Sequence, residues 1–312
     1  MTRVGLAIGC GGTIGGAWAI AALSALATEL EWDPRTATVL QGTSAGSEIV
    51  TMLAGGYSAE DLAEMQAGRS VNDVLRRHIE AVPKSFPPLP FPAFTHLGTV
   101  RHRGAGGHAA IAGLAPRGRG DTTFLRELAD DIAGPDGWLP HPGARLVAFE
   151  PATGTRTAFG ALGAPKVAAH EALRASWSVP GWMPPVTIGG RTFLDGGVAS
   201  TASVDLIDPT EIDVLYVIAP MASAPGVRGR GIGGRLEQLT LRRPMSAVLD
   251  REIAVARESG LRVVPILPDA DDLSALGCNF MSREHRATAF ADAIETSRRT
   301  VTRALYAEEV MS

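Results

Sequence analysis

Short apolar runs alternate with longer helix-competent stretches along the whole chain. Residues 4–8 are a continuous apolar run, the pattern of a strand buried on both faces. A glycine-rich loop follows at residues 9–16, and residues 17–30, rich in Ala and Leu, predict a helix. Residues 38–40 form a second short strand, which runs through Gly42-Thr43-Ser44-Ala45-Gly46 into a helix at 47–53. Further helices are predicted at 58–65, with Ser58 and Asp61 in capping-box register, and at 70–79. Beyond them come helices from Asp121 or Thr122 to Asp131, and over 167–176, 243–259 and 282–307. Strands are expected at 145–149 and 156–159 around a Thr153-Gly154 turn, at 213–219 and at 261–267. A hairpin is expected at 186–194 across Gly189-Gly190. The alternation predicts an α/β fold: a three-layer sandwich with a mostly parallel central sheet and helices on both faces.

Two segments break this pattern. Residues 81–120 carry five prolines by position 92, three interleaved phenylalanines, then Gly, Ala and Arg, with five cations and no acid. Residues 220–236 are again loose, with Arg228, Arg230 and Arg235 and no acid. The expectation is one domain, residues 1–312, carrying these two loose insertions, with no repeat or linker that divides it. The chain's net charge is -4, so removing these eight cations leaves a body of -12. Such a balance does not suggest a nucleic-acid binder. It allows two basic insertions to steer one face toward an anionic membrane, or simply to keep loops solvated. Cys10 and Cys278 make no disulfide framework, and no metal-type spacing of Cys or His is present. The expected setting is cytoplasmic, peripheral to a membrane where the insertions engage one. Arg3 and the small residues at 24–27 resemble parts of a secretory signal, but five glycines interrupt the apolar stretch between them, so structure is the better reading.

The candidate chemistry starts at Ser44. Strand, tight turn and helix in that order are what a nucleophile elbow requires, with Gly42 and Gly46 letting the backbone crowd around the serine. The same five residues also fit a plain Gly-Ser turn. The loop at 9–16 misses a dinucleotide fingerprint, because Ile14 occupies the third glycine position, and it lacks the Gly-Lys-Ser/Thr ending of a P-loop. It fits an oxyanion hole or a packing turn. A serine hydroxyl needs a base. None of the seven histidines stands in a demanding context; His285 could close a Ser-acid-His order, but only about 40 residues precede the elbow. Asp195 ends a strand and is followed by Gly196 and Gly197, a tight turn that can bring a carboxylate into a cleft. On spacing alone that too is a turn.

Three separated motifs together resemble the patatin-like phospholipase family of serine lipid acyl hydrolases. They are Gly11-Gly12-Thr13-Ile14-Gly15-Gly16, Gly42-Thr43-Ser44-Ala45-Gly46 and Asp195-Gly196-Gly197, supported by residues 175–186. The resemblance spans roughly residues 4–210. It implies a Ser–Asp dyad without histidine: Ser44 as nucleophile, Asp195 as base, and an oxyanion hole of Gly11, Gly12 and Thr13 with Ala45. It implies a lipid or acyl-ester substrate and no cofactor. Gly15 stands where the family usually has Lys or Arg, and residues 198–203 lack its frequent Asn-x-Pro. A non-catalytic acyl-binding protein of the same fold, or a thioesterase or acyltransferase, is the alternative.

Overall fold

The computed structural model describes residues 2–82, 91–94, 115–224, 226–227, 242–276, 281 and 284–311. Most of the basic segments, including Arg101, Arg103, Arg228, Arg230 and Arg235, lies outside the described residues, as do His96, His102, His108 and Cys278.

An eight-stranded mixed sheet forms the centre, in the order β10-β9-β1-β2-β5-β8-β7, with β6 paired to β5 off this path. The strands are β1 (Val4–Ile8), β2 (Val39–Thr43), β5 (Ala144–Glu150), β6 (Thr155–Phe159), β7 (Val186–Ile188), β8 (Arg191–Asp195), β9 (Val214–Ile218) and β10 (Arg262–Ile266). β10, β9, β1, β2 and β5 run parallel, while β6, β7 and β8 add an antiparallel edge. A separate pair, β3 (Phe91–Phe94) and β4 (Pro116–Arg117), ties together the two ends of the segment at 95–115.

Alternation along the parallel strands divides the apolar interior into two layers. Leu6, Ile8, Leu40, Tyr216, Ile218, Val264 and Ile266 face one layer with α1 (Gly12–Glu29), α2 (Ala45–Ala54) and α3 (Ala59–Gln66). Helices α4 (Asp73–Ala81), α5 (Thr123–Ile132), α6 (Ala169–Ser176), α8 (Ala270–Leu276) and α9 (Arg286–Met311) contribute to the same layer. Ala7, Val39, Leu215, Val217 and Val263 face the other, covered by Leu249 and Ile253 of α7 (Arg243–Glu258) and by Val204. The helix α1 is buried on nearly every side, which accounts for its run of Ala and Gly: larger side chains would hold its neighbours away.

The expected strands appear within a residue or two of their predicted bounds, except β2, which runs on through Gln41 and Gly42 to Thr43, and Ser58 and Asp61 form the expected capping box. Three helix starts differ. Helix α1 begins at Gly12, so the glycine loop is shorter than residues 9–16 and Gly12 to Gly16 are already helical. Gly15 packs against Pro220 and Gly16 against Ala45, a close fit that outweighs glycine's poor helix propensity. Helix α4 starts at Asp73 because Asn72 caps it, its side chain accepting from the Val74 and Leu75 amides. Helix α9 starts at Arg286, and the short α8 has no counterpart in the sequence pattern.

Candidate active site

The sheet register sets the level of the site. Ile8 at the end of β1 pairs with Gly42, so the glycine loop and the Ser44 turn leave the sheet side by side at the carboxyl ends of neighbouring strands. On the far side of β2, Thr43 pairs with Val147 of β5, and the next residue, Ala148, pairs with Asp195. Ser44 and Asp195 thereby reach one level of the sheet although 151 positions separate them in sequence.

Ser44 sits at φ 56°, ψ -121°, a backbone conformation that side chains rarely adopt, directly before α2. Holding a serine there costs about 1–3 kcal/mol, which the surroundings must supply. A Cβ on Gly42 would strike the Gly46 carbonyl and Ser47, and one on Gly46 would strike the Ile8 carbonyl. Both glycines are therefore set by close backbone approach. The hydroxyl of Ser176, at the end of α6, accepts from the Ser44 amide at 2.9 Å and donates to the Val147 carbonyl at 2.6 Å. This bridge pins the elbow to β5.

Asp195 is buried, and its Oδ1 accepts from the Gly197 amide at 2.7 Å. Burial pushes its carboxyl up to about 7, against hydrogen bonds from the Ser44 hydroxyl and the Gly197 amide that favour the charged form. Among the described residues, no cation is among the groups that act on it. A Cβ on Gly196 would lie 2.8 Å from the Val147 carbonyl, and one on Gly197 would lie 2.8 Å from Cys10 Sγ. The two glycines bring the turn against the site. The Asp195 amide donates to Ser178 at 3.0 Å, fixing the strand end.

Gly11 is the N-cap of α1, and Gly12 (φ 58°) and Thr13 open its first turn; Ala45 opens α2. First-turn amides have no acceptor within their own helix, so two helix N-termini present N–H groups beside Ser44. Gly15, where the family usually has a cation, lies inside α1 against Pro220. Cys10 is the other nucleophile nearby. Burial first, then the Asp195 charge, pushes its thiol up to about 12, so it stays protonated. Of the described histidines, His78 is bonded to Glu48, His141 to the Arg35 carbonyl and His170 to Asp130, and none of these bonds reaches Ser44 or Asp195; His285 is exposed, directly before α9. No group of three or more His, Cys, Asp or Glu that could hold a metal occurs among the described residues.

Two supports went unread in the sequence. Gln41, buried on β2, donates to the Ala202 and Ser203 carbonyls at 3.1 and 2.8 Å, joining the elbow strand to the stretch after Asp195. Glu252 on α7 accepts from Ser200 Oγ at 2.9 Å, the Val204 amide at 3.0 Å and Arg156 at 2.9 Å. These partners are 161, 52, 48 and 96 positions or more apart, so no local pattern points to them.

The family model for patatin-like phospholipases matches residues 6–208, about two thirds of the chain and all three motifs. The chain belongs to the patatin-like phospholipase family. Among solved structures, the crystal structure of VipD from Legionella pneumophila is similar, with 13% identity and a TM-score of 0.44, covering 96% of this chain and 67% of that one. No curated protein matches. As a patatin-like phospholipase, the chain falls among lipid acyl hydrolases at the level of the family. Among the described residues, no helix is long and apolar enough to cross a membrane.

Proposed function

We propose that this patatin-like protein hydrolyses carboxylic esters of lipid type through an acyl-enzyme on Ser44, with Asp195 as the only general base. The observation that carries this reading is the pairing of a strained, buried serine with a buried carboxyl pushed to about 7. A carboxylate at its ordinary pKa is too weak a base to take a serine proton, and raising it toward the working pH improves the match.

The steps follow from the groups present. Ser44 Oγ attacks the ester carbonyl as Asp195 takes the hydroxyl proton. Negative charge gathers on the carbonyl oxygen, where the amides of Gly11, Gly12, Thr13 and Ala45 and the ends of two helices stabilise it. The intermediate collapses, the proton on Asp195 passes to the leaving alkoxide, and the alcohol departs. A water molecule then attacks the acyl-enzyme, giving its proton to Asp195, and the Ser44 oxygen leaves and recovers that proton. The carboxylic acid is released and the enzyme is unchanged. Hydrolysis of nitrophenyl butyrate by the wild type, with Ser44→Ala and Asp195→Asn each inactive but folded by circular dichroism, is the expected result. Full activity in either variant would remove the dyad.

A further inference from the structure

Arg242 is a buried cation with no task in the hydrolysis proposed above. It stands directly before α7 and is 3% exposed. Taking a guanidinium out of water is costly unless its hydrogen bonds are made. A cation at the start of a helix also faces the positive end of the helix dipole. Both costs call for a compensating contact.

That contact is the Pro220 carbonyl, to which Arg242 Nη1 donates at 2.7 Å. Pro220 follows β9 and lies against the start of α1. A Cβ on Gly11 would stand 2.8 Å from the Pro220 ring, and one on Gly15 would stand 3.2 Å from it. Gly11 is the N-cap of α1 and one of the proposed oxyanion donors. Pro220 is therefore the one residue between Arg242 and the oxyanion loop. The neighbours repeat the connection: Cys10, next to Gly11, packs with Met221, next to Pro220, and with Met245 of α7. Cys10 also lies within reach of two charges. Burial and then the Asp195 carboxylate push its thiol up, and the Arg242 guanidinium pulls it down. Arg242 is not among the groups that act on Asp195. Its influence falls on the glycine loop and not on the base.

We propose that Arg242 is a positioning residue for the oxyanion hole. By holding the Pro220 carbonyl it keeps the Pro220 ring against Gly11 and Gly15, and so keeps the first amides of α1 aimed at the developing charge. This rests on the acyl-hydrolase reading above. The aim of those amides matters most when charge gathers on the carbonyl oxygen, so its loss slows the reaction and leaves ester binding unchanged.

The test uses nitrophenyl butyrate, with kcat and KM measured from pH 5 to 9 on variants shown to be folded by circular dichroism. Arg242→Met is expected to lower kcat about tenfold or more, less than the roughly 10²–10³ of losing an oxyanion donor outright. KM should be unchanged, and the midpoint of the pH profile should stay near 7, because the base is untouched. Arg242→Lys, which keeps a charged donor, should recover most of the lost rate. Pro220→Ala keeps the carbonyl but removes the ring from Gly11, and it does not depend on the Arg242 variant folding. It is expected to lower kcat by a similar factor, and the double variant should lose no more than either single one, since both act through one contact. Wild-type kcat in either single variant, a rise in KM in place of the fall in kcat, or losses that multiply in the double variant overturn the positioning role and leave the hydrolase reading intact. No turnover by the wild type overturns the hydrolase reading itself, and this inference with it.

Discussion

Asp195 and Glu252 are both buried carboxyl groups that burial pushes upward, and they hold opposite ends of one stretch, residues 195–204. Their surroundings differ. Glu252 faces the Arg156 guanidinium and accepts from a hydroxyl and an amide, and Arg156 also bonds Asp205 at 2.6 Å. Among the described residues, Asp195 has one amide, the Ser44 side chain and no cation. The first environment spends a carboxylate on holding backbone in place. The second leaves a carboxyl with few fixed partners beside Ser44, which is what the proposed role as base requires. A raised pKa alone does not separate a base from a strut; the number and kind of fixed partners do.

The sharpest break between the two is a double dissociation. Asp195→Asn is expected to lower kcat by about 10⁴-fold or more with the fold intact. Glu252→Ala is expected to cost about 3 kcal/mol of stability, read as a lower urea midpoint, because it strands Ser200, the Val204 amide and part of Arg156. Its activity per folded molecule should fall far less than that of Asp195→Asn. Equal losses of activity in the two variants would erase the distinction.

Next in size is Ser176. Ser176→Ala removes the bridge between the strained Ser44 amide and Val147. Kcat should drop about tenfold with KM unchanged, since a lost buried hydrogen bond is worth roughly 1–2 kcal/mol and this one orients only the nucleophile. An unchanged kcat would show that the two glycines alone hold the elbow.

The smallest expected effect is on stability against pH, and its sign is opposite to that of an ordinary acidic group. The Asp195 carboxyl is raised in the folded state, to about 7 from 3.8. Its folded form therefore binds a proton that the unfolded chain has released, and its contribution declines as pH rises from about 4 to 7. Asp195→Asn lacks that decline. The melting temperature of the variant should exceed that of the wild type by a margin that opens between pH 4 and pH 8. A margin that is constant with pH would mean that Asp195 titrates normally.

How much was legible beforehand follows the same division between local and distant partners. The Ser44 elbow, the Asp195 turn and the Ser58 cap are local in form, although the first two pointed to chemistry only when read together with the glycine loop. The strands were legible because short apolar runs bounded by glycines and turns are strongly patterned, although the run at 38–40 gave no sign that β2 continues to Thr43. The start of α1 was misplaced because Gly12, Gly15 and Gly16 weaken a helix by propensity; contacts with Pro220 and Ala45 account for Gly15 and Gly16, and a φ of 58° for Gly12. Ser176 was visible as part of a family-like stretch, but its task depends on a partner 132 positions away. Residues 198–203, which lack the family's frequent Asn-x-Pro, make their own contacts: Ser200 holds Glu252 and the Ser203 amide, and the Thr201 carbonyl accepts from Cys10. Nothing local in the sequence announces those roles.

The central claim is that Ser44 is activated by Asp195 and by no histidine. Labelling with a fluorophosphonate, followed by intact mass and peptide mapping across pH 5 to 9, tests it directly. The account predicts a single adduct at Ser44, a rate that rises about tenfold per pH unit and levels off near pH 7, and no labelling in Asp195→Asn. Labelling of Ser44 that persists at the wild-type rate in Asp195→Asn would contradict it.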